Sequence, residues 1–139
     1  PIHFAYGCHT TIGDHFYSNF NLTVVDDGRV SIGNSVMFGP NVTISTTGHP
    51  VHPYYRMRGA HFSLPVVIED GVWIGANVVV MPGVTIGKNS VIGAGSVVTR
   101  DIPENVVAFG TPCRVVRPIT DADLETIRPG MTINADWNA

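Results

Sequence analysis

The sequence predicts an all-β fold in which short parallel strands wind into a coil, a parallel β-helix. Three observations predict it. Aliphatic residues recur every six positions from residue 66 to 103, through Ile68, Ile74, Val80, Ile86, Ile92 and Val98. A second apolar or small series runs two residues earlier, through Val66, Val72, Val78, Val84, Ser90, Ser96 and Ile102. Glycine directly follows the aliphatic position in Ile74-Gly75, Ile86-Gly87 and Ile92-Gly93. A period of six belongs neither to an amphipathic helix nor to one long alternating strand. A fixed internal repeat marks a stacked architecture instead.

The elements follow in chain order. The chain opens on Pro1 rather than methionine, and a segment upstream of it is expected. Pro1 to Tyr6 lack a basic flank and a long apolar core, so no signal peptide is expected there. The repeat then shows as Ile12-Gly13, Ile32-Gly33, Phe38-Gly39 and Ile44, with the frame slipping between Val24 and Ile32. Thr46 to Pro65 carries no repeat and reads as an excursion from a corner of the coil. Loops of this length inside a domain are uncommon and usually functional or disordered.

The regular coil resumes at Val66. Three hexapeptides make one turn, so Ile68 should stack on Ile86, Ile74 on Ile92 and Val80 on Val98. The aliphatic residue points inward, and the glycine after it is read as permitting backbone angles that a β-carbon opposes. Pro103, Gly110, Pro112 and Pro118 mark an irregular descent from the coil. Thr120 then caps a helix with an acidic first turn, kept short by Pro129-Gly130. Met131 to Ala139 give no signal. The layout is a coil domain over residues 1–118, with the loop at 46–65, and a C-terminal tail over residues 119–139. About four to five coil turns leave ends and flat faces that need covering, so self-association across a face is expected.

Composition narrows the function. Only 14% of residues are charged, against about 25% in ordinary domains. No basic stretch suggests nucleic acid, and no apolar run is long enough to span a bilayer. Cys8 and Cys113 are far apart and form neither a disulfide framework nor a CxxC knuckle, so a reducing cytoplasm is the expected compartment. HPVH, holding His49 and His52, invites a metal reading. Zinc sites usually take three or four ligands, and neither a cysteine nor a clear carboxylate completes this pair, so no metal is expected.

Four stretches together carry a resemblance to a known family. They are FYSNFNLTVVDD (Phe16 to Asp27), GPNVTISTTGHPVHP (Gly39 to Pro53), VWIGANVVVMPGVTIGKNSVIGAGSVVTRDIP (Val72 to Pro103) and GTPCRVVR (Gly110 to Arg117). Over roughly residues 1 to 119 the chain resembles the hexapeptide-repeat sugar O-acetyltransferases, of the galactoside and maltose acetyltransferase kind. The resemblance implies a left-handed β-helix, acetyl-CoA as co-substrate and a sugar or glycoside as acceptor. It also implies a homotrimer whose active sites lie between subunits, and a mainly helical segment upstream that helps bind the sugar.

Acetyl transfer from a thioester to a hydroxyl needs a base for the hydroxyl proton and donors for the tetrahedral oxyanion. His49 in TGHPVH stands at the family's catalytic position and is the expected base, with His52 supporting the loop. The resemblance implies that Asn19 contacts the reacting groups and that Tyr17 and Asp27 bind the acceptor. Asp26 and Asp27 are alternatively ordinary corner residues. Ala76 stands where some relatives carry serine; a backbone N–H donor would survive that change and a hydroxyl would not. Trp73 either lines the coenzyme channel or covers a coil corner. Ala94, Thr99 and Arg100 match the coenzyme groove, and Arg114 and Arg117 would meet coenzyme phosphates, which suit a guanidinium fork. The competing reading is a catalytically silent trimeric scaffold or binding module. Which sugar is the acceptor stays open.

Overall fold

A computed structural model describes residues 1–133, so residues 134–139 of the expected tail lie outside the described residues. The strands wind into a left-handed parallel β-helix with three faces. Among the described residues, the first face stacks Ile2–Phe4, Leu22–Val25, Thr43–Ser45, Val79–Val80 and Val97–Val98. The second stacks Thr10–Ile12, Val30–Ile32, Val66–Ile68 and Thr85–Ile86. The third runs through Tyr17–Ser18, Met37–Phe38, Trp73–Ile74, Val91–Ile92 and Val106–Gly110, and Cys113–Pro118 closes it as an antiparallel edge.

The expected stacking is present: Ile68 pairs with Ile86, Ile74 with Ile92 and Val80 with Val98. Inward columns such as Val24, Ile44, Val80 and Val98 are at most 1% exposed. Burying each such side chain contributes about 1.5–3 kcal/mol, and the coil's stability is built from these columns.

The slip between Val24 and Ile32 has a simple geometric cause. Phe4 pairs with Val24, Ile12 with Ile32 and Val24 with Ile44, so the first coils repeat at 20 residues. The extra residues sit at the corner between the first and second faces. The same corner of the next coil opens into the 46–65 excursion.

The glycine reading needs correcting. Gly33, Gly39, Gly75 and Gly87 do not have positive φ. A β-carbon on Gly39 would instead lie 2.7 Å from the Ala76 nitrogen, and one on Gly75 would lie 2.7 Å from the Ala94 nitrogen. These glycines let successive coils approach. The left-handed corner positions fall two residues later and are largely asparagine: Asn41, Asn77 and Asn89, with φ of 60°, 57° and 60°. Asparagine tolerates that region through local hydrogen bonding. Here the amides also form a ladder, Asn21 to Asn41 to Asn77, at 3.0 Å per step.

The descent after Asp101 is more ordered than the prolines suggest. Val91 pairs with Val107, closing a shorter last coil. Two buried hydroxyls adapt to it. Ser90 Oγ donates to the Pro103 carbonyl at 2.7 Å, and Ser96 Oγ accepts the Gly110 N–H at 3.0 Å. The tail's helix is a single 3-10 turn, Asp121–Leu124, capped by Thr120. Pro129-Gly130 does more than stop it: it turns a small hairpin between Thr126–Arg128 and Met131–Thr132.

Candidate active site

His49 is carried by the excursion. Its base is anchored to the coil: Thr46 N–H donates to the Val25 carbonyl at 3.0 Å, and Leu64 N–H donates to the Thr46 carbonyl at 2.8 Å. Two strands, Thr47–Gly48 and Phe62–Ser63, then pair antiparallel. Beyond them lies a one-turn helix, Pro53–Arg56, none of whose residues is buried. His49 Nδ1 donates to the Ala60 carbonyl across the neck of this loop at 2.9 Å. That bond sets the tautomer with the proton on Nδ1 and leaves the Nε2 lone pair to accept a proton. Nothing in the sequence marked Ala60, because a backbone carbonyl carries no residue signature.

His52 supports the loop as expected. Its Nδ1 accepts the Tyr54 N–H at 3.1 Å and caps the helix. Arg58 stacks on Tyr54, with its guanidinium carbon 3.8 Å from the ring centroid. The His61 ring stands 6.3 Å from that of His49. Among the described residues, no three His, Cys, Asp or Glu side chains gather where they could hold a metal ion.

The corner beneath the loop holds Asp26 and Asp27. Asp26 is fully buried, while Asp27 is half-buried. The Asp26 carboxylate accepts the Tyr6 and Gly7 N–H groups, each at 2.9 Å, and the Thr10 hydroxyl at 3.0 Å. Burial pushes its pKa up, but the Tyr6 N–H, the Thr10 hydroxyl and the Gly7 N–H outweigh burial and hold it below the ordinary carboxylate range. Asp26 is therefore the structural member of the pair. Gly28 N–H donates to Thr46 Oγ1 at 2.9 Å, which seats the hairpin base on the Asp27 corner.

The other expected residues fall elsewhere on the coil. Asn19, Ala76 and Ala94 share the corner between the third and first faces. The Asn19 side-chain oxygen accepts the Phe20 N–H at 2.8 Å, so its Nδ2 is the half free to donate. Thr99 and Arg100 are exposed and stand at the same corner column as the excursion, one strand away from Ala94. Tyr17 and Trp73 lie on the outside of the third face, where the register runs Tyr17, Met37, Trp73, Val91, Val107, Arg117.

Trp73 is thus on a face rather than over a corner. It borders a cavity of about 410 Å³ under the C-terminal tail, with Ile119, Ile127 and Ile133 opposite. Arg114 is exposed, with Nη1 donating to the Cys113 carbonyl at 2.9 Å. Arg117 is turned onto the tail. Its two Nη groups bond the Asp123 carboxylate at 2.9 and 2.8 Å, which brings the Asp123 pKa down to about 2.

One chain therefore raises the loop that carries His49 from the Asp27 corner, and sets Asn19, Ala76 and Ala94 at another. The strand between them spans four to five residues, about 13–17 Å at roughly 3.3 Å each.

Comparison with known proteins agrees with this architecture. Residues 65–100 match the bacterial transferase hexapeptide family (six repeats). The chain is 60% identical over 123 residues to the galactoside O-acetyltransferase of Escherichia coli strain K12, covering 88% of this chain and 61% of that protein. It spans about three fifths of that relative's length. A solved structure of a galactoside acetyltransferase in complex with coenzyme A superposes with a TM-score of 0.90 at 51% identity, covering 97% of this chain and 68% of that one. A hexapeptide-repeat acetyltransferase of Vibrio cholerae O1 biovar eltor, complexed with acetyl coenzyme A, gives a TM-score of 0.85 at 40% identity, over 87% of this chain and 66% of that one.

Proposed function

The chain belongs to the hexapeptide-repeat acetyltransferases, and from that premise we propose that it moves the acetyl group of acetyl-CoA to a hydroxyl of a sugar or glycoside. The observation that carries the reading is the His49 tautomer. With Nδ1 held by the Ala60 carbonyl, Nε2 takes the proton of the acceptor hydroxyl as its oxygen attacks the thioester carbonyl carbon. The tetrahedral intermediate then collapses, the carbon–sulfur bond breaks, and the proton held by His49 passes to the departing sulfur. The products are an acetyl ester and free coenzyme A thiol, with no covalent enzyme intermediate.

The remaining roles follow the chemistry of each group. Asn19 Nδ2 orients the reacting oxygen atoms. Ala76 supplies its backbone N–H, since it has no hydroxyl to offer the developing oxyanion. Tyr17 and Asp27 take acceptor hydroxyls. Trp73, Ala94, Thr99, Arg100 and Arg114 contact the coenzyme. Arg117 reaches a phosphate only by leaving Asp123.

Because the loop that carries His49 leaves the coil at a different corner from Asn19, the site is completed between neighbouring chains of a homotrimer. The test is coenzyme A thiol release by the full-length protein with acetyl-CoA and a panel of galactosides, glucose and maltose. Release that depends on one of these sugars supports the reading. Coenzyme binding without release on any acceptor favours a silent scaffold.

A further inference from the structure

His49 sits just beyond the last backbone tie that closes its hairpin. Below that tie the excursion is bonded to the coil through Thr46 and Leu64. Beyond it, the loop contributes nothing to the buried core. The tie is the pairing of Gly48 with Phe62.

At this pair the tip of the Phe62 ring lies over Gly48. A β-carbon on residue 48 would meet Phe62 Cζ at 2.5 Å and both Cε atoms at 3.1 Å. Gly48 does not have positive φ, so backbone freedom does not require a glycine here. The ring does. Gly48 immediately precedes His49, and Ala60, whose carbonyl holds His49 Nδ1, lies two residues before Phe62. One contact therefore fixes both the peptide that carries the imidazole and the strand that carries its acceptor.

We propose that Phe62, seated on Gly48, is a positioning residue that holds His49 and the Ala60 carbonyl in register. The assignment rests on His49 being the base. Phe62 is 44% exposed and outside the coil core, so its removal leaves the coil folded.

The experiment is a double-mutant cycle in the full-length protein, with acetyl-CoA and the best sugar acceptor. Phe62→Ala lowers kcat roughly 10- to 100-fold, the scale of a misplaced catalytic group. The KM for acetyl-CoA stays within about twofold, because only the reacting geometry is disturbed. Gly48→Ala, which displaces the ring without removing it, gives the same pattern. In a His49→Ala background Phe62→Ala causes no further loss, because it acts only through the imidazole. A full additional loss in that background, or a rise in KM in place of the fall in kcat, overturns the positioning role. If His49→Ala abolishes turnover while Phe62→Ala and Gly48→Ala keep it, only the positioning role falls. If His49→Ala itself keeps turnover, the base assignment falls with it.

Discussion

Asp26 and Asp27 are neighbours in sequence, yet stacking separates them. Asp26 turns into the corner, where two N–H groups and a hydroxyl converge on it. Replacing it with asparagine puts an amide donor against those donors, and should cost about 1–3 kcal/mol of stability, read by chemical denaturation. The sign of its pH dependence follows from its lowered pKa. The stabilisation is complete above the unfolded carboxylate's pKa and is lost as pH falls through the lower folded value. The Asp26→Asn variant should lack that acid-side loss. Local sequence offers no way to choose between the two aspartates, because the choice is made by Tyr6, Gly7 and Thr10 in the preceding coil. His49 was legible, but only through its motif and the family it resembles. The carbonyl that sets its tautomer was not.

The coil was legible wherever its spacing is regular. Between residues 66 and 98 the stacked strand pairs follow from counting in sixes, and the count breaks at Ile102, which pairs with Ile86. The first coils resist such counting because their corner holds two more residues, and Ile12 and Val24 therefore change frame. The glycines were found for the wrong reason, since close approach between coils is not visible in one repeat. Gly75→Ala should therefore destabilise the coil by about 1–3 kcal/mol through overpacking, although its backbone angles suit alanine. A thermal melt of this variant at wild-type stability would show that the coils can part. Ser96→Ala tests the last coil, and leaving the Gly110 N–H without its acceptor should cost about 1–3 kcal/mol. The tail hairpin escaped notice because its strands are two and three residues long. Arg117→Ala should free the tail while the coil's melting temperature holds, with faster hydrogen exchange at the Ile133 N–H, which bonds the Glu125 carbonyl.

At the scale of the whole molecule, exposed apolar residues cluster where one chain has nothing to set against them. Val51 is 91% exposed, Met57 83%, and Tyr54 and Tyr55 lie beside them on the excursion. In the proposed trimer such surfaces would be covered, and the loop that carries His49 in one chain would meet the Asn19 corner of another. Light scattering should give about three times the chain mass of 14.9 kDa, and a monomer at micromolar concentration would remove the shared site. The chemistry of His49 is decided by comparing acetyl-CoA turnover by the full-length protein and its His49→Ala variant on the same sugar. A general-base role for His49 means that kcat falls roughly 10²–10⁴-fold in the variant with acetyl-CoA binding retained. A variant that keeps most of its turnover would contradict it.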